Sequence, residues 1–252
     1  MNLKKNNQLN GALTVINFVL LSLLILSIGA NQTVIARTYD ALGGGGVLKK
    51  ITGSIIGGGS SKYGNIDLTG DISQDAITLA ISQGVPDIYG VELDISFDDV
   101  QPAINIMKRF DPTYGSQGIA LDGDDLKRFI DVGLQISCEY CCSAQSIIAS
   151  DGSAACGCAH SQAMRGLSAY LIKNHGSEYS NDEILRELAR WKGMYFPKQM
   201  IQKLSSQLQG ADFTPDTAAL LLGLDLPDYG QGNQGAPLPS DLKNLPNMVG
   251  GC

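Results

Sequence analysis

The longest apolar run lies near the amino terminus, where residues 11–30 (GALTVINFVLLSLLILSIGA) contain one strongly polar side chain, Asn17. A 20-residue helix spans about 30 Å, which is the thickness of a bilayer's hydrocarbon core. Lys4 and Lys5 precede the run, and positive charge on that side orients the following chain outward. We expect residues 1–30 to be a signal-anchor, or a signal peptide that is removed. The rest of the chain would then face outside the cytoplasm, membrane-anchored or secreted.

Glycine-rich stretches at 43–46 and 57–59 follow this run. Repeated glycine gives a chain many accessible conformations and no side chains to bury. We therefore expect residues 31–65 to be a tether between the membrane segment and a folded domain that begins near residue 66.

Apolar positions at helical spacing recur through residues 66–224 and predict a mainly helical domain. Ser180 and Glu183 form a capping-box pattern, while Pro197 and Pro215 stand where helices start. Residues 85–97 alternate poorly, and we expect at most a short extended piece there. The tail, 225–252, predicts little regular structure. The helices are expected in segments 71–84, 100–110, 121–137, 159–176, 183–196, 198–210 and 216–224.

The formal net charge is −7, and no basic cluster stands out in the sequence. Binding to nucleic acid requires a basic face that neutralises phosphates. The sequence therefore predicts no nucleic-acid partner and a contact with the membrane through residues 11–30, and it identifies no protein partner.

The stretch 138–160 (CEYCCSAQSIIASDGSAACGCAH) holds five of the six cysteines and one of the two histidines. If the preceding helix continues for one more turn, Cys138, Cys141 and Cys142 share a face. Asp151-Gly152 is a turn signal. A chain reversal there would bring the first group of cysteines to the second.

Four nitrogen or sulfur ligands in a tetrahedron suit zinc. The favoured ligand set is Cys138, Cys141, Cys156 and Cys158, or the same set with His160 replacing one cysteine. Copper(I) prefers soft donors, and Met164 follows His160 by one helical turn. An iron–sulfur cluster also uses four cysteines, but the spacing differs from that of ferredoxins. The candidate metal ligands are Cys138, Cys141, Cys142, Cys156, Cys158 and His160.

Two alternatives to a metal remain open. Exported proteins oxidise their thiols, so the cysteines could form a disulfide framework that staples an interaction module. Cys156 and Cys158 also precede a predicted helix, whose amino terminus lowers a thiol pKa. With His160 as a proton partner, they could serve a thiol–disulfide oxidoreductase.

Other residues have simpler interpretations. We expect Arg165 to pair with Glu183 or Asp182, His175 to be a helix cap or a solvated side chain, and Trp191 to lie in the core. Cys252, the last residue, could reach a metal, form an interchain bridge or carry a modification.

The block ISCEYCC…DGSAACGCAHSQAMRGLSAYL, with RWKGMYFP after it, resembles a widespread microbial family of membrane-anchored, outward-facing proteins. The resemblance covers roughly residues 85–200 and rests on the C-x2-C-C and C-G-C-A-H motifs. It implies that the cluster is the centre of interest, and it implies no activity. The sequence thus predicts a membrane-anchored metal-binding protein in which zinc is favoured, with a structural or metal-handling role.

Overall fold

The computed structural model describes residues 66–229 and 244–251, which belong to the unit Ser61–Cys252. The predicted membrane segment and the tether lie outside the described residues. Within 66–229 and 244–251, no helix is long and apolar enough to cross a membrane. The same residues form α-helices and no strand, so the mainly helical fold class is confirmed for this part of the chain.

Eight α-helices follow one another along the described part. They are α1 Ile72–Ala80, α2 Tyr89–Leu93, α3 Val100–Met107, which continues as a 3-10 turn at Lys108–Phe110, α4 Gly123–Gly133, α5 Ala159–His175, α6 Asn181–Tyr195, α7 Pro197–Leu208 and α8 Pro215–Leu220.

The helix starts follow the capping signals of the sequence. At α6 the Ser180 hydroxyl accepts from the backbone of Glu183, and the Glu183 carboxylate accepts in return from the Ser180 backbone. Pro197 and Pro215 stand at the first positions of α7 and α8, where a missing N–H leaves no hydrogen bond unmade. These three predicted boundaries are confirmed.

The core is built around α5 and α6, which carry buried residues on most of their faces. Trp191 is fully buried, as the sequence predicts, and its ring lies 4.4 Å from that of Phe97. Helix α1 packs on α7, α3 and the 3-10 turn pack on α5, and α8 packs on α6. The residues between α4 and α5, which contain the cysteine cluster, are therefore supported by α5.

Residues 85–97 differ from the expected extended piece, because they contain the short helix α2. Ile88 and Asp94 flank it with positive φ angles of 66° and 53°. Positive φ is strongly disfavoured for the β-branched Ile88 and is tolerated at Asp94, so local sequence preference gives little signal for this conformation. Tertiary packing that fully buries Tyr89 determines the conformation instead.

Two glycines permit close helix crossings. A Cβ at Gly193 of α6 would lie 1.9 Å from the carbonyl oxygen of Ala80, and one at Gly166 of α5 would lie 2.0 Å from that of Met107. Contacts this short against backbone atoms require the helices to move apart, so both crossings depend on the absence of a side chain.

Near the end of α5, His175 contacts two carboxylates. Its Nε2 lies 2.8 Å from Glu92 Oε2 and its Nδ1 lies 3.1 Å from Glu178 Oε1. Tyr170 also donates to Glu92, and the Tyr179 ring packs against the imidazole. Burial opposes the charge, but the hydrogen bonds to Glu178 and then Glu92 raise the pKa of His175. The side chain is thus a buried bridge between two carboxylates, and neither the helix cap nor the solvated side chain that the sequence suggested.

We predict that Gly193→Ala lowers the free energy of unfolding by about 2 kcal/mol or more, as overpacking of a filled interface does. Urea denaturation of the purified chain measures this. Gly157→Ala is the control, because a Cβ at Gly157 meets no atom within 4 Å. Equal stability of the two variants would contradict the close crossing.

We predict a pH-dependent stability difference between the wild type and His175→Gln. Because the folded-state pKa of His175 is raised, its contribution is complete below the unfolded pKa of about 6.5 and is lost as pH rises through the folded pKa. The hydrogen bond from His175 lowers the pKa of Glu92. Protonation of Glu92 below about pH 4.3 therefore also removes part of this stabilisation. Denaturation curves should differ most near pH 5.5 and converge at high pH. A difference that grew with pH would contradict the bridge.

Candidate metal centre

The first cysteine segment is a loop and not a helical turn. Helix α4 ends at Gly133, where a Cβ would lie 2.6 Å from Ile148 Cδ1. The next residues turn sharply, with φ of 41° at Glu139 and 55° at Ser143. The helix predicted over 121–137 therefore ends early, and the conditional further turn through Cys138 does not form, because positive φ angles at Glu139 and Ser143 are incompatible with an α-helix.

The second cysteine segment returns through the predicted turn. The Asp151 carboxylate accepts from the backbone N–H of Ser153 at 2.9 Å, and Gly152 takes a φ of 84°. Ile148 and Ala154 form an antiparallel bridge across the reversal. The turn prediction is confirmed, and the reversal carries Cys156 and Cys158 back toward the first segment.

A buried ion pair holds this returning chain. Arg165 of α5 binds Asp111 through two hydrogen bonds, Nε to Oδ1 at 3.0 Å and Nη2 to Oδ2 at 2.7 Å, and both side chains have no exposed surface. The Nη1 group of Arg165 donates to the carbonyl oxygens of Ile147 at 3.0 Å and Cys156 at 2.9 Å. The expected pairing of Arg165 with Glu183 or Asp182 is wrong, because Arg165 faces the cluster and not α6.

The two segments bring four thiols together. The sulfur of Cys138 lies 3.4 Å from that of Cys142 and 3.5 Å from that of Cys158. Cys138 is buried and Cys142 is exposed, so the group lies at the edge of the domain. The four ligand atoms that all lie within 4.8 Å of one another are the sulfurs of Cys138, Cys142, Cys156 and Cys158.

Cys142, and not its neighbour Cys141, completes this group. Cys141 is disulfide-bonded, and a sulfur in that form is not a thiolate. It nevertheless lies within 4.8 Å of ligand atoms of Cys158 and His160. The predicted residues therefore form two overlapping groups that share Cys158. Cys252 lies outside the described residues.

Cys158 has surroundings that favour its thiolate form. It occupies the N-cap of α5, where its sulfur accepts from the Ser161 backbone N–H at 3.4 Å. The hydrogen bond with Cys138, followed by contact with His160, lowers the pKa of Cys158 to about 3, although burial opposes this. The same hydrogen bond and then burial raise the pKa of Cys138.

His160 is oriented by the carboxyl-terminal segment. Its ring has no exposed surface and packs against the rings of Tyr195 and Phe196 at 4.8 and 5.0 Å. Its Nε2 lies 2.8 Å from the carbonyl oxygen of Val249, and the Val249 N–H donates to the backbone carbonyl oxygen of Tyr195. A carbonyl only accepts, so Nε2 carries a hydrogen. The low-complexity tail gave no sequence signal for this contact.

A charged group anchors the first cysteine segment from the other side. Glu139 contacts Lys192 at 2.5 Å and Lys203 at 2.9 Å, and Lys192 also contacts Asp216 at 2.6 Å. A cavity of about 530 Å³ adjoins these side chains. Lys192 is 1% exposed, so its two carboxylate partners are needed to offset its desolvation. Sequence reasoning missed this group, because its members lie far apart along the chain.

No protein-family profile, curated protein or solved structure matches this chain. The resemblance of the cysteine motifs to outward-facing microbial proteins therefore stays an expectation.

We predict that Gly250→Ala breaks the hydrogen bond between His160 and Val249. Gly250 has a φ of 80°, and a Cβ there would lie 2.5 Å from Ile104 Cδ1 and 3.4 Å from His160 Nε2. Long-range 1H–15N NMR spectra report which imidazole nitrogen is protonated, and His175 serves as internal reference. The wild type should show a protonated Nε2 at His160, and Gly250→Ala should lose this pattern.

Gly251→Ala is the matched control, because a Cβ at Gly251 meets no atom within 4 Å. It should keep the spectrum of the wild type. An unchanged spectrum in both variants would contradict the placement of the tail.

Proposed function

We propose that this chain binds one metal ion through Cys138, Cys142, Cys156 and Cys158, and that the ion is zinc. The observation that carries the proposal is that four thiols from two segments lie within 4.8 Å of one another. In a tetrahedral zinc site with bonds of about 2.3 Å, the sulfurs are about 3.8 Å apart. The observed 3.4 and 3.5 Å separations need only small adjustments to reach that geometry.

The character of the donors favours zinc over the other metals. Four thiolates in a tetrahedron suit zinc or an iron–sulfur cluster, and the ferredoxin spacings are absent from this sequence. Copper(I) is the alternative that thiolate softness permits. With all four positions filled by protein, the metal joins two loop segments and contributes directly to folding.

The exposure of the ligands supports a metal-handling role beside the structural one. Cys138 is buried, whereas Cys142 lies at the surface. A thiolate from a partner or a small chelator can therefore replace Cys142 first, which gives the ion a route in and out. We further propose that the domain works outside the cytoplasm, held to a membrane by residues 11–30, and the sequence pattern supports this placement.

A thiol–disulfide oxidoreductase is the second candidate. Its support is the Cys158 thiolate at the start of α5, next to Cys138 and to Cys156, whose sulfur accepts from the Cys158 backbone N–H at 3.4 Å. The Cys158 thiolate would attack a substrate disulfide and release one substrate thiolate. A second cysteine thiolate would then attack the mixed disulfide, which leaves an oxidised pair in the protein and the second substrate thiol free.

The adjacent cysteines provide the test of the metal proposal. We predict that the purified chain binds about one zinc per molecule and that Cys142→Ser weakens binding by more than about 100-fold, since even outer partners of a ligand contribute 10–100-fold. Cys141→Ser, one residue away, should retain one zinc. Elemental analysis and competition with a chromophoric chelator measure both quantities.

Thiol titration separates the two candidate functions. In a metal protein, the thiols react quickly only after a chelator removes the ion. Thiols that react at once, with no bound metal and with turnover of a disulfide substrate, would overturn the metal proposal in favour of the oxidoreductase. Equal loss of zinc in Cys141→Ser and Cys142→Ser would contradict the ligand set.

A further inference from the structure

A second group of donors overlaps the four-thiol group. Cys141, Cys158 and His160 each offer a ligand atom, and these atoms lie within 4.8 Å of one another. Cys158 belongs to both groups. A thiolate has several lone pairs and can bridge two metal ions, so one shared cysteine does not prevent both groups from being filled.

His160 is already arranged as a ligand. The Val249 carbonyl requires a hydrogen on Nε2, so Nδ1 is the ring nitrogen that would bind a metal. Metal-binding histidines usually donate their other N–H to a carbonyl or a carboxylate in this manner. The ring packs between Tyr195 and Phe196, and it has no exposed surface. Its orientation is therefore set before any ion arrives.

The oxidation state of Cys141 decides whether the group is complete. Its sulfur is now in a disulfide, which leaves the thiolate of Cys158 and the imidazole of His160 as two donors. Two donors hold zinc weakly, and a third donor, the Cys141 thiolate, completes a three-ligand set to which water adds as the fourth ligand. Reduction would supply that thiolate at the distance already present.

We propose that reduction of the Cys141 disulfide opens a second metal position, formed by Cys141, Cys158 and His160, with Cys158 bridging to the first ion. A dithiol gives up two electrons and becomes a disulfide, and the protein disulfide becomes two thiols. The Cys141 thiol loses its proton to solvent when zinc binds. The inference rests on the proposed function, and it makes the zinc capacity of the chain dependent on redox state.

The test counts zinc in the full-length chain before and after reduction. The protein is treated anaerobically with dithiothreitol or with buffer, desalted, incubated with zinc sulfate, and desalted again before elemental analysis. We expect about one zinc per chain without reduction and about two after it. Cadmium-113 NMR on the reduced chain should show two signals, one from four sulfurs and one from a site of mixed sulfur and nitrogen.

Matched variants assign the second ion. His160→Gln and Cys141→Ser should bind one zinc in both redox states, and that retained first zinc shows that the domain is folded. The chain has only one other histidine, so His175→Gln is the control and should bind two zinc ions after reduction. A second ion that persists in Cys141→Ser overturns the assignment.

Zinc stoichiometry also separates the inference from the function on which it rests. One zinc in both redox states overturns the second position and leaves the four-thiol centre intact. Two zinc ions without reduction overturn the redox control. No zinc in either state overturns the proposed function together with the inference.

Discussion

The fully buried pair of Arg165 and Asp111 is the interaction on which the cysteine centre depends. A charge without water is stable only when it is paired and its remaining donors are satisfied. Arg165 meets this requirement with Asp111 and with the carbonyl oxygens of Ile147 and Cys156. Because these carbonyls belong to the returning chain, satisfying the guanidinium also fixes where Cys156 and Cys158 stand. Removing one partner of such a pair costs about 3–5 kcal/mol and would release the segment as well.

The centre is thus held from several directions by elements that are distant in sequence. The carboxylate of Glu139 binds Lys192 and Lys203 of α6 and α7, which fixes the first cysteine segment. The start of α5 supports Cys158, and the tail orients His160 through Val249. A centre held in this manner keeps four thiols close together, as a metal site requires. The same closeness would serve thiol exchange, so the proposed zinc site and the alternative oxidoreductase would use the same cysteines.

Sequence rules correctly predicted the helix starts and the turn, which depend on local interactions. The capping box at Ser180, the proline starts of α7 and α8, and the reversal at Asp151-Gly152 each depend on neighbours within a few residues, and each is confirmed. The gathering of the cysteines followed from that reversal. The choice between Cys141 and Cys142 did not, because it depends on the loop backbone after Cys138, where Glu139 and Ser143 have positive φ angles. The pairing of Arg165 with Asp111 and the contact of Val249 with His160 connect residues that are distant in sequence. Sequence patterns do not reveal such pairs.

X-ray absorption spectroscopy of the zinc-loaded, unreduced chain tests the central claim most directly, because it reports the ligand atoms and their distances. The account predicts a first shell of about four sulfurs at about 2.3 Å, which falls to about three sulfurs in Cys142→Ser. A shell dominated by oxygen or nitrogen near 2.0 Å, or a sulfur count that Cys142→Ser leaves unchanged, would contradict the four-thiol centre.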